Sequence, residues 1–263
     1  MSERKLGKVV TFACRKGGVG KSANSYNLAG TLNAMGYRVL AIDLDGQCSL
    51  TDTELDGSGV IPEDGASVWA LLEPNGEDPM LLITGSDNID LLAGSEEADA
   101  AELTLAHNVV KASWSFQNAI DEYRKHYDYI IVDTPPLAGL LTRFGITVSD
   151  MVIIPVDLHK YGLKGAKKVV DAVDELARIK MRPERNVWLL PSRVESRERL
   201  PKLAKKELEK HPEMEGILLE FSIRKSAKIG ETTTVGQPLV HYAPNDKGME
   251  DYRKLADFVI EKA

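Results

Sequence analysis

Residues 9–22 read Val-Val-Thr-Phe-Ala-Cys-Arg-Lys-Gly-Gly-Val-Gly-Lys-Ser, an apolar run that leads into a glycine-rich loop. Such a loop binds phosphate when it follows a buried strand and precedes a helix, and a helical pattern over 22–35 follows here. Glycines let the backbone approach a polyphosphate, and the helix start adds the positive end of its dipole. We expect Lys21 on the β- and γ-phosphates and the Ser22 hydroxyl on Mg²⁺. The expected nucleotide-lining residues are Gly17, Gly18, Val19, Gly20, Lys21, Ser22 and Ala23.

A second lysine, Lys16, lies near the start of this loop. Because Lys21 already neutralises the phosphates, Lys16 requires another task. From its position it can reach across an interface to the nucleotide of a second subunit, which would make ATP the bridge of a dimer. The alternative is a solvated lysine on an exposed loop.

Aspartates follow two predicted strands that belong beside the loop. Asp43 and Asp45 end one strand two residues apart, so their side chains share a face while the chain stays extended. One carboxylate can then hold the Mg²⁺ shell while the other reaches the water that attacks the γ-phosphate. Asp133 closes another apolar run, where such NTPases place the partner of a Mg²⁺-bound water.

The composition is that of an ordinary globular protein, with 263 residues, 43% hydrophobic content and a formal net charge of −7. The acidic excess argues against a globally basic nucleic-acid binder but allows a local basic patch. No apolar run approaches the roughly 18 residues of a membrane span, and the N-terminus has no apolar signal-peptide core. Two cysteines are too few for a disulfide or metal framework, so we expect a cytoplasmic location.

Strand-like and helical patterns alternate along almost the whole chain. The strands are nearly continuous apolar runs, as expected where helices cover both faces of a parallel sheet. The pattern predicts a doubly wound α/β fold with a mostly parallel sheet and a single P-loop domain over 1–263. Glycines and prolines in 53–88 predict a surface insertion with one short helix at 67–72. The expected strands are 8–14, 38–43, 89–93, 129–133, 151–156, 187–192 and 217–221, and the main expected helices are 22–35, 115–126, 164–181 and 200–211.

Three segments together resemble the motifs of one ATPase family. The loop at 16–22, Asp43-Leu44-Asp45-Gly46-Gln47 and Ile131-Val132-Asp133-Thr134-Pro135-Pro136 are similar to those of the ParA/MinD group of deviant-loop ATPases. Within that group, Ile153-Ile154-Pro155-Val156 and Gly236-Gln237-Pro238 look like the small ParA type that segregates plasmids and chromosomes. The resemblance runs from about residue 8 to 260 without 53–88, and we expect no N-terminal helix-turn-helix extension.

The resemblance implies a mechanism of ATP-dependent pairing. In this family two subunits form a sandwich dimer around ATP, the dimer binds DNA without sequence preference, and a partner protein stimulates slow hydrolysis. By position, Lys16 would be the lysine that crosses the interface and Lys21 the phosphate lysine. Asp45 would position or activate the attacking water.

The resemblance also implies a metal set and a base-proximal segment. By position, Ser22 and Asp43 would serve Mg²⁺ and Asp133 would support the metal shell. Arg224 and Lys225 would lie near the adenine. This chain departs from the small ParA pattern, which has Pro at position 46, Thr at 23 and Pro-Arg-Asn at 224–226. The first two departures should affect local rigidity more than chemistry, and the third leaves the details of base recognition open.

A DNA surface is implied by two further positions. Arg197 and Lys228 fall where chromosomal ParA proteins carry DNA-contacting arginines, and Lys202 belongs to a basic stretch over 193–210. A solvated helix face is the alternative interpretation of that stretch. Arg143 lies close enough to the third motif to reach the dimer face.

The expected function is therefore that of a ParA-type partitioning ATPase, nucleoid-associated, with a ParB-like centromere-binding or cargo-adaptor partner. Two alternatives stay open: a positioning ATPase for a protein cargo or organelle, and a MinD-like membrane-associated regulator. Against the second, Asp251, Asp257 and Glu261 leave the C-terminal segment 251–263 without net positive charge, which favours a packing helix and no membrane contact.

Overall fold

A seven-stranded sheet forms the centre of the computed structural model, which describes residues 6–54, 68–72, 82–84, 89–95, 105–136, 139–157, 160–179, 186–195, 211–214 and 216–263. The strands are β1 Lys8–Phe12, β2 Val39–Asp43, β3 Leu82–Thr84, β4 Ile89–Leu92, β5 Tyr129–Asp133, β6 Met151–Val156 and β7 Val187–Pro191. The helices are α1 Lys21–Ala34, α2 Ser49–Glu54, α3 Trp69–Leu72, α4 Val109–Tyr123, α5 Leu140–Val148, α6 Lys160–Arg178, α7 Ala227–Val235, α8 Leu239–Tyr242 and α9 Gly248–Lys262.

The strand order is β3-β4-β2-β5-β1-β6-β7. All neighbours pair in parallel except β3, which joins the edge antiparallel to β4. Asp133 at the end of β5 stands level with Phe12 of β1 on one side and with Asp43 of β2 on the other. This register brings the phosphate-binding loop and the predicted aspartates to the same edge of the sheet, as the doubly wound fold requires.

Alternate residues of the central strands face opposite helical layers. In β1, Val10 and Phe12 pack in one buried cluster with residues of α1 and α9, whereas Val9 packs in another with residues of α4 and α5. Because successive side chains of a strand point to opposite faces, the apolar runs fill both layers at once. The predicted α/β fold with helices on both faces of a mostly parallel sheet is confirmed.

Most of the predicted elements are present with shifted ends. Six of the seven expected strands form, and the expected helices at 115–126 and 164–181 begin earlier, at Val109 and Lys160. The short helix expected at 67–72 is α3. The helix expected at 200–211 lies almost wholly outside the described residues.

At the sheet margins, one predicted strand is wrong and one observed strand was not predicted. Residues 217–221 do not form a strand, because only one isolated bridge, between Leu218 and Leu189, joins them to β7. The insertion expected at 53–88 contains an edge strand, β3, that the sequence pattern did not indicate. Its three residues are too few to show a period.

Helix α1 is buried on nearly all sides. Two of its asparagines form side-chain hydrogen bonds to neighbouring elements inside the fold. Asn24 Nδ2 donates to Ser192 Oγ (3.1 Å), and Asn24 Oδ1 accepts from the Tyr252 hydroxyl (3.0 Å). Asn27 Nδ2 donates to Thr232 Oγ1 (3.2 Å), while its Oδ1 accepts from the backbone N–H of Leu239 (2.7 Å). We call these contacts the asparagine seam. It joins the helix that follows the phosphate loop to the loop after β7 and to α7, α8 and α9.

The C-terminal helix α9 packs against α1, and its Leu255 and Val259 are completely buried. The packing helix expected there is confirmed. Among the described residues, no helix is both long and apolar enough to cross a membrane.

We predict opposite effects for alanine at two helical glycines. A Cβ at Gly30 in α1 would lie 2.4 Å from Cβ of Pro238, a rigid neighbour, whereas a Cβ at Gly230 in α7 meets nothing within 4 Å. Gly30→Ala should therefore lower the free energy of unfolding by about 1–3 kcal/mol through overpacking. Gly230→Ala, the matched control, should raise it by about 0.5–1 kcal/mol because alanine favours the helix. Urea unfolding measures both, and equal effects would contradict the close packing of α1 on Pro238.

Candidate nucleotide-binding site

The loop between β1 and α1 has the geometry of an anion-binding turn. Gly18 and Gly20 have left-handed φ values of +76° and +88°, which glycine adopts without a steric penalty. No side chain caps the first N–H groups of α1 at Gly20. These groups and the positive end of the helix dipole suit a phosphate or another anion. At the start of the loop, the buried thiol of Cys14 donates to the carbonyl of Lys16 at 3.3 Å, and burial raises the pKa of this thiol to about 11.

Lys21 is buried among carboxylates directly beneath this loop. Its side chain is 7% exposed, and its Nζ lies 2.7 Å from Asp133 Oδ2 and 3.3 Å from Asp45 Oδ2. Burial alone would lower the pKa of Lys21, but the attraction of Asp133 and Asp45 outweighs burial and raises it. The ammonium therefore stays charged at neutral pH.

Asp133 is the centre of the polar cluster. Besides the ammonium, its Oδ2 accepts the hydroxyl of Ser22 at 2.6 Å, and its Oδ1 accepts the hydroxyl of Ser25 at 3.0 Å. Asp45 uses Oδ1 to accept the backbone N–H of Gln47 at 3.1 Å. The structure thus brings together four predicted residues, namely Lys21, Ser22, Asp45 and Asp133.

Asp43 faces away from this cluster toward the segment that follows β2. One of its oxygens accepts the backbone N–H of Asp45 at 3.0 Å. The other accepts the N–H groups of Leu50 (3.1 Å) and Thr51 (2.9 Å) and the Thr51 hydroxyl (2.9 Å). Asp43 therefore anchors the start of α2, and its predicted part in the metal shell stays a prediction.

Lys16, unlike Lys21, is exposed to solvent. Its side chain is 56% exposed, and its nearest carboxylate, Asp157, lies 3.9 Å away at the limit of an ion pair. The two lysines of the loop are thus divided between the interior and the surface.

The structure does not bring the predicted adenine-proximal side chains to the loop. Arg224 forms a forked pair with buried Asp251 of α9, with Nε–Oδ2 2.6 Å and NH2–Oδ1 2.9 Å. Lys225 pairs with Glu195. The backbone of this segment also contacts the loop after β7, because the N–H of Lys225 donates to the carbonyl of Val194 at 2.9 Å.

Of the predicted DNA residues, Arg197 and Lys202 lie outside the described residues. Lys228 lies on the surface in α7, where its Nζ is 2.7 Å from Glu231 and 3.1 Å from the Tyr242 hydroxyl. Hydrogen bonding to Glu231, and then to Tyr242, raises the pKa of Lys228. Arg143, whose position after the third motif would allow it to reach a dimer face, pairs with Glu175 on the surface of α6 at 2.9 Å.

One residue at the loop was not predicted to act there. Arg193, which the sequence placed only in a basic stretch, donates from its guanidinium to the carbonyl of Gly18 at 2.7 Å. Its backbone φ of +58° is uncommon for a residue other than glycine. Sequence spacing gives no signal for this contact, because 175 positions separate the two residues.

A glycine-rich anion loop at the carboxyl edge of a parallel sheet, with a buried lysine among aspartates, defines a P-loop nucleoside triphosphatase. The chain matches the family described as "AAA domain" over residues 7–184. It belongs to the ParA/Soj/MinD family of P-loop ATPases.

Relatives of this chain are similar over nearly their full length. The chain is 28% identical to the sporulation initiation inhibitor protein Soj of Bacillus subtilis, covering 95% of this chain and 97% of Soj. It is 27% identical to the chromosome partitioning protein ParA of Myxococcus xanthus, covering 98% and 89%.

Two solved structures share the fold at lower identity. A plasmid partition protein of Borrelia burgdorferi bound to AMPPNP superposes with a TM-score of 0.78 at 21% identity, covering 98% of this chain and 100% of that one. Cobyrinic acid a,c-diamide synthase of Mycobacterium smegmatis, bound to ADP and magnesium, gives 0.77 at 22% identity, covering 97% and 95%.

We predict that the free energy of unfolding of the nucleotide-free protein depends on pH through the titration of Asp43. Burial, with nearby Asp133, raises the pKa of Asp43 from 3.8 to about 7. The folded state then binds more protons than the unfolded state between these values, so the Asp43 contribution is present below pH 4 and is lost as the pH rises through about 7. Relative to Asp43→Asn, the free energy of unfolding should fall by up to about 1.4 kcal/mol per pH unit in this window. Urea unfolding at several pH values measures the slope, and parallel curves would contradict the assignment.

Proposed function

We propose that this chain is a ParA-type partitioning ATPase that acts as an ATP-dependent switch. Two copies pair across two ATP molecules, and the paired form binds DNA without sequence preference. A ParB-like partner stimulates slow hydrolysis and so releases the DNA, which segregates a plasmid or a chromosome. Membership of the family and the full-length similarity to Soj and ParA support this proposal.

The observation that carries the proposal is the division of labour between the two loop lysines. Lys21 is held inside by Asp133 and Asp45, where it can serve only the nucleotide of its own chain. Lys16 projects from the same loop with more than half of its side chain exposed. An exposed ammonium beside a phosphate-binding loop can reach the phosphate charge held by a second copy, at little cost in desolvation.

The polar cluster fits ATP and Mg²⁺. Ser22 and Asp133 offer two oxygens 2.6 Å apart, and hard cations such as Mg²⁺ prefer hydroxyl, carboxylate and water oxygens. When bound, Mg²⁺ would neutralise phosphate charge. The ammonium of Lys21 would exchange its bond to Asp133 for the β- and γ-phosphates, which leaves this carboxylate for the metal shell. The arrangement therefore keeps each charge compensated before and after binding.

Asp45 is the residue that we assign to the attacking water. Its side chain is buried, one oxygen is fixed by the N–H of Gln47, and the other lies 3.3 Å from the ammonium of Lys21. A fixed carboxylate beside the phosphate lysine can accept a hydrogen bond from water and hold it in line with the γ-phosphate.

Pairing supplies the link from ATP to DNA. Each chain would offer only a few phosphate contacts, and one of the assigned cations, Lys228, is already paired with Glu231, so a single chain should bind DNA weakly. A dimer doubles the number of phosphate contacts without changing either surface. DNA affinity would then fall with salt by about 0.9 log units per neutralised phosphate.

Contact with a membrane is the less favoured alternative. The apolar residues Leu255 and Val259 of α9 are already buried against the fold, so they cannot enter a lipid surface without exposing the core. Cosedimentation with anionic vesicles in ATP would support the alternative.

Three variants test the nucleotide switch by light scattering after gel filtration. With ATP, wild type should run as a dimer, and Lys16→Ala should stay monomeric while it binds ADP like wild type. Lys21→Ala should lose nucleotide binding altogether. Asp45→Ala should form a lasting dimer because hydrolysis falls by about 100-fold or more. Lys254→Ala, an exposed lysine of α9, serves as the control for charge. A Lys16→Ala protein that still dimerises would reduce the proposal to a generic nucleotide hydrolase.

The DNA step is tested with the double variant Arg197→Glu, Lys228→Glu. In the Asp45→Ala background with ATP, we expect the dimer to persist while binding to DNA of arbitrary sequence is lost. Fluorescence anisotropy at several salt concentrations measures the loss, and the slope for the parent dimer should be about twice that of the monomer. Unchanged DNA binding would place the DNA surface elsewhere.

A further inference from the structure

Arg193 spans the outer side of the phosphate loop. Its guanidinium NH1 donates to the carbonyl of Gly18 at 2.7 Å, and its Cγ lies 3.9 Å from where a Cβ on Gly20 would stand. The aliphatic part of this side chain thus passes over Gly20, while its guanidinium binds Gly18. These two glycines are the loop residues with a left-handed backbone.

The contact fixes a peptide plane. A trans peptide unit is planar, with its carbonyl and its N–H pointing in opposite directions, and the described residues contain no cis peptide bond. Because Arg193 holds the carbonyl of Gly18 on the outside, the N–H of Val19 must point to the other side. A glycine with φ of +76° can otherwise turn this peptide at low cost. A cationic donor on the carbonyl also polarises the peptide and strengthens its N–H as a donor.

The backbone of Arg193 is itself held from two directions. Ser192 accepts a hydrogen bond from Asn24 of α1 at 3.1 Å. On the other side, the N–H of Val194 donates to the carbonyl of Ile223 at 3.1 Å, and the carbonyl of Val194 accepts the N–H of Lys225 at 2.9 Å. These contacts keep Arg193 at its φ of +58°, a conformation that usually costs about 1–3 kcal/mol. Strain retained next to a binding loop is typical of a functional position.

We infer that Arg193 is a positioning residue for the nucleotide: it orients the Gly18–Val19 peptide so that the N–H of Val19 faces the phosphates. The ligand concerned is the diphosphate portion shared by ADP and ATP, not the base or the γ-phosphate alone. This inference rests on the nucleotide binding of the proposed function, but it does not depend on dimerisation or DNA.

Arg193→Gly is the decisive variant, because glycine accepts the φ of +58° and so removes the side chain without backbone strain. We expect the Kd values for ADP and for AMPPNP, measured by calorimetry with Mg²⁺ and without DNA, to rise by the same factor of about five to ten. The thermal unfolding temperature without nucleotide should match that of Arg253→Ala, a control arginine on the surface of α9. Millimolar guanidinium should restore part of the ADP affinity.

Three results would overturn the inference. One is an unchanged Kd for ADP, and another is a loss confined to AMPPNP, which would indicate direct contact with the γ-phosphate. The third is a lowered unfolding temperature without nucleotide together with no rescue by guanidinium, which would indicate a structural role. If wild type binds ADP but neither dimerises nor binds DNA, the proposed function fails while the Arg193 result stands.

Discussion

The ion pair between Lys21 and Asp133 is the interaction on which the site depends. An ammonium that is almost completely buried keeps its charge only beside carboxylates, because desolvation otherwise favours the neutral amine. The carboxylate reaches the lysine because β5 runs between β1 and β2 in a register that sets Asp133 level with the end of β1. Sheet topology therefore supplies what the loop sequence alone could not, a counter-charge beneath the phosphate position.

Much of this arrangement was predictable from residue patterns. The apolar run before the loop indicated a buried strand, and the carboxyl ends of parallel strands meet at one edge, which brought Asp45 and Asp133 to Lys21. The role of Asp43 was not predictable, since it depends on the backbone of Leu50 and Thr51 folding back onto its carboxylate. Strand β3 was not predicted because its three residues are too few to show a periodic pattern.

Long-range side-chain contacts were the other feature hidden from the sequence. The family resemblance predicts Arg224 near the adenine, and this stays a prediction; the structure shows Arg224 paired with Asp251 of α9, whose burial requires a cationic partner. From the sequence, Arg193 was only one member of a basic stretch. In the structure, the left-handed backbone after β7 directs its side chain to the phosphate loop. Both contacts depend on tertiary packing, which composition and sequence spacing do not reveal.

The asparagine seam has a mechanical consequence. Asn27 is hydrogen-bonded both to Thr232 of α7 and to the first N–H of α8, so a shift of α1 along its axis would strain both bonds. Helix α7 also carries Lys228, on the protein exterior. Because Thr232 and Lys228 lie on the same helix, a single hydrogen bond from Asn27 links the helix after the phosphate loop to the segment that carries this exposed cation.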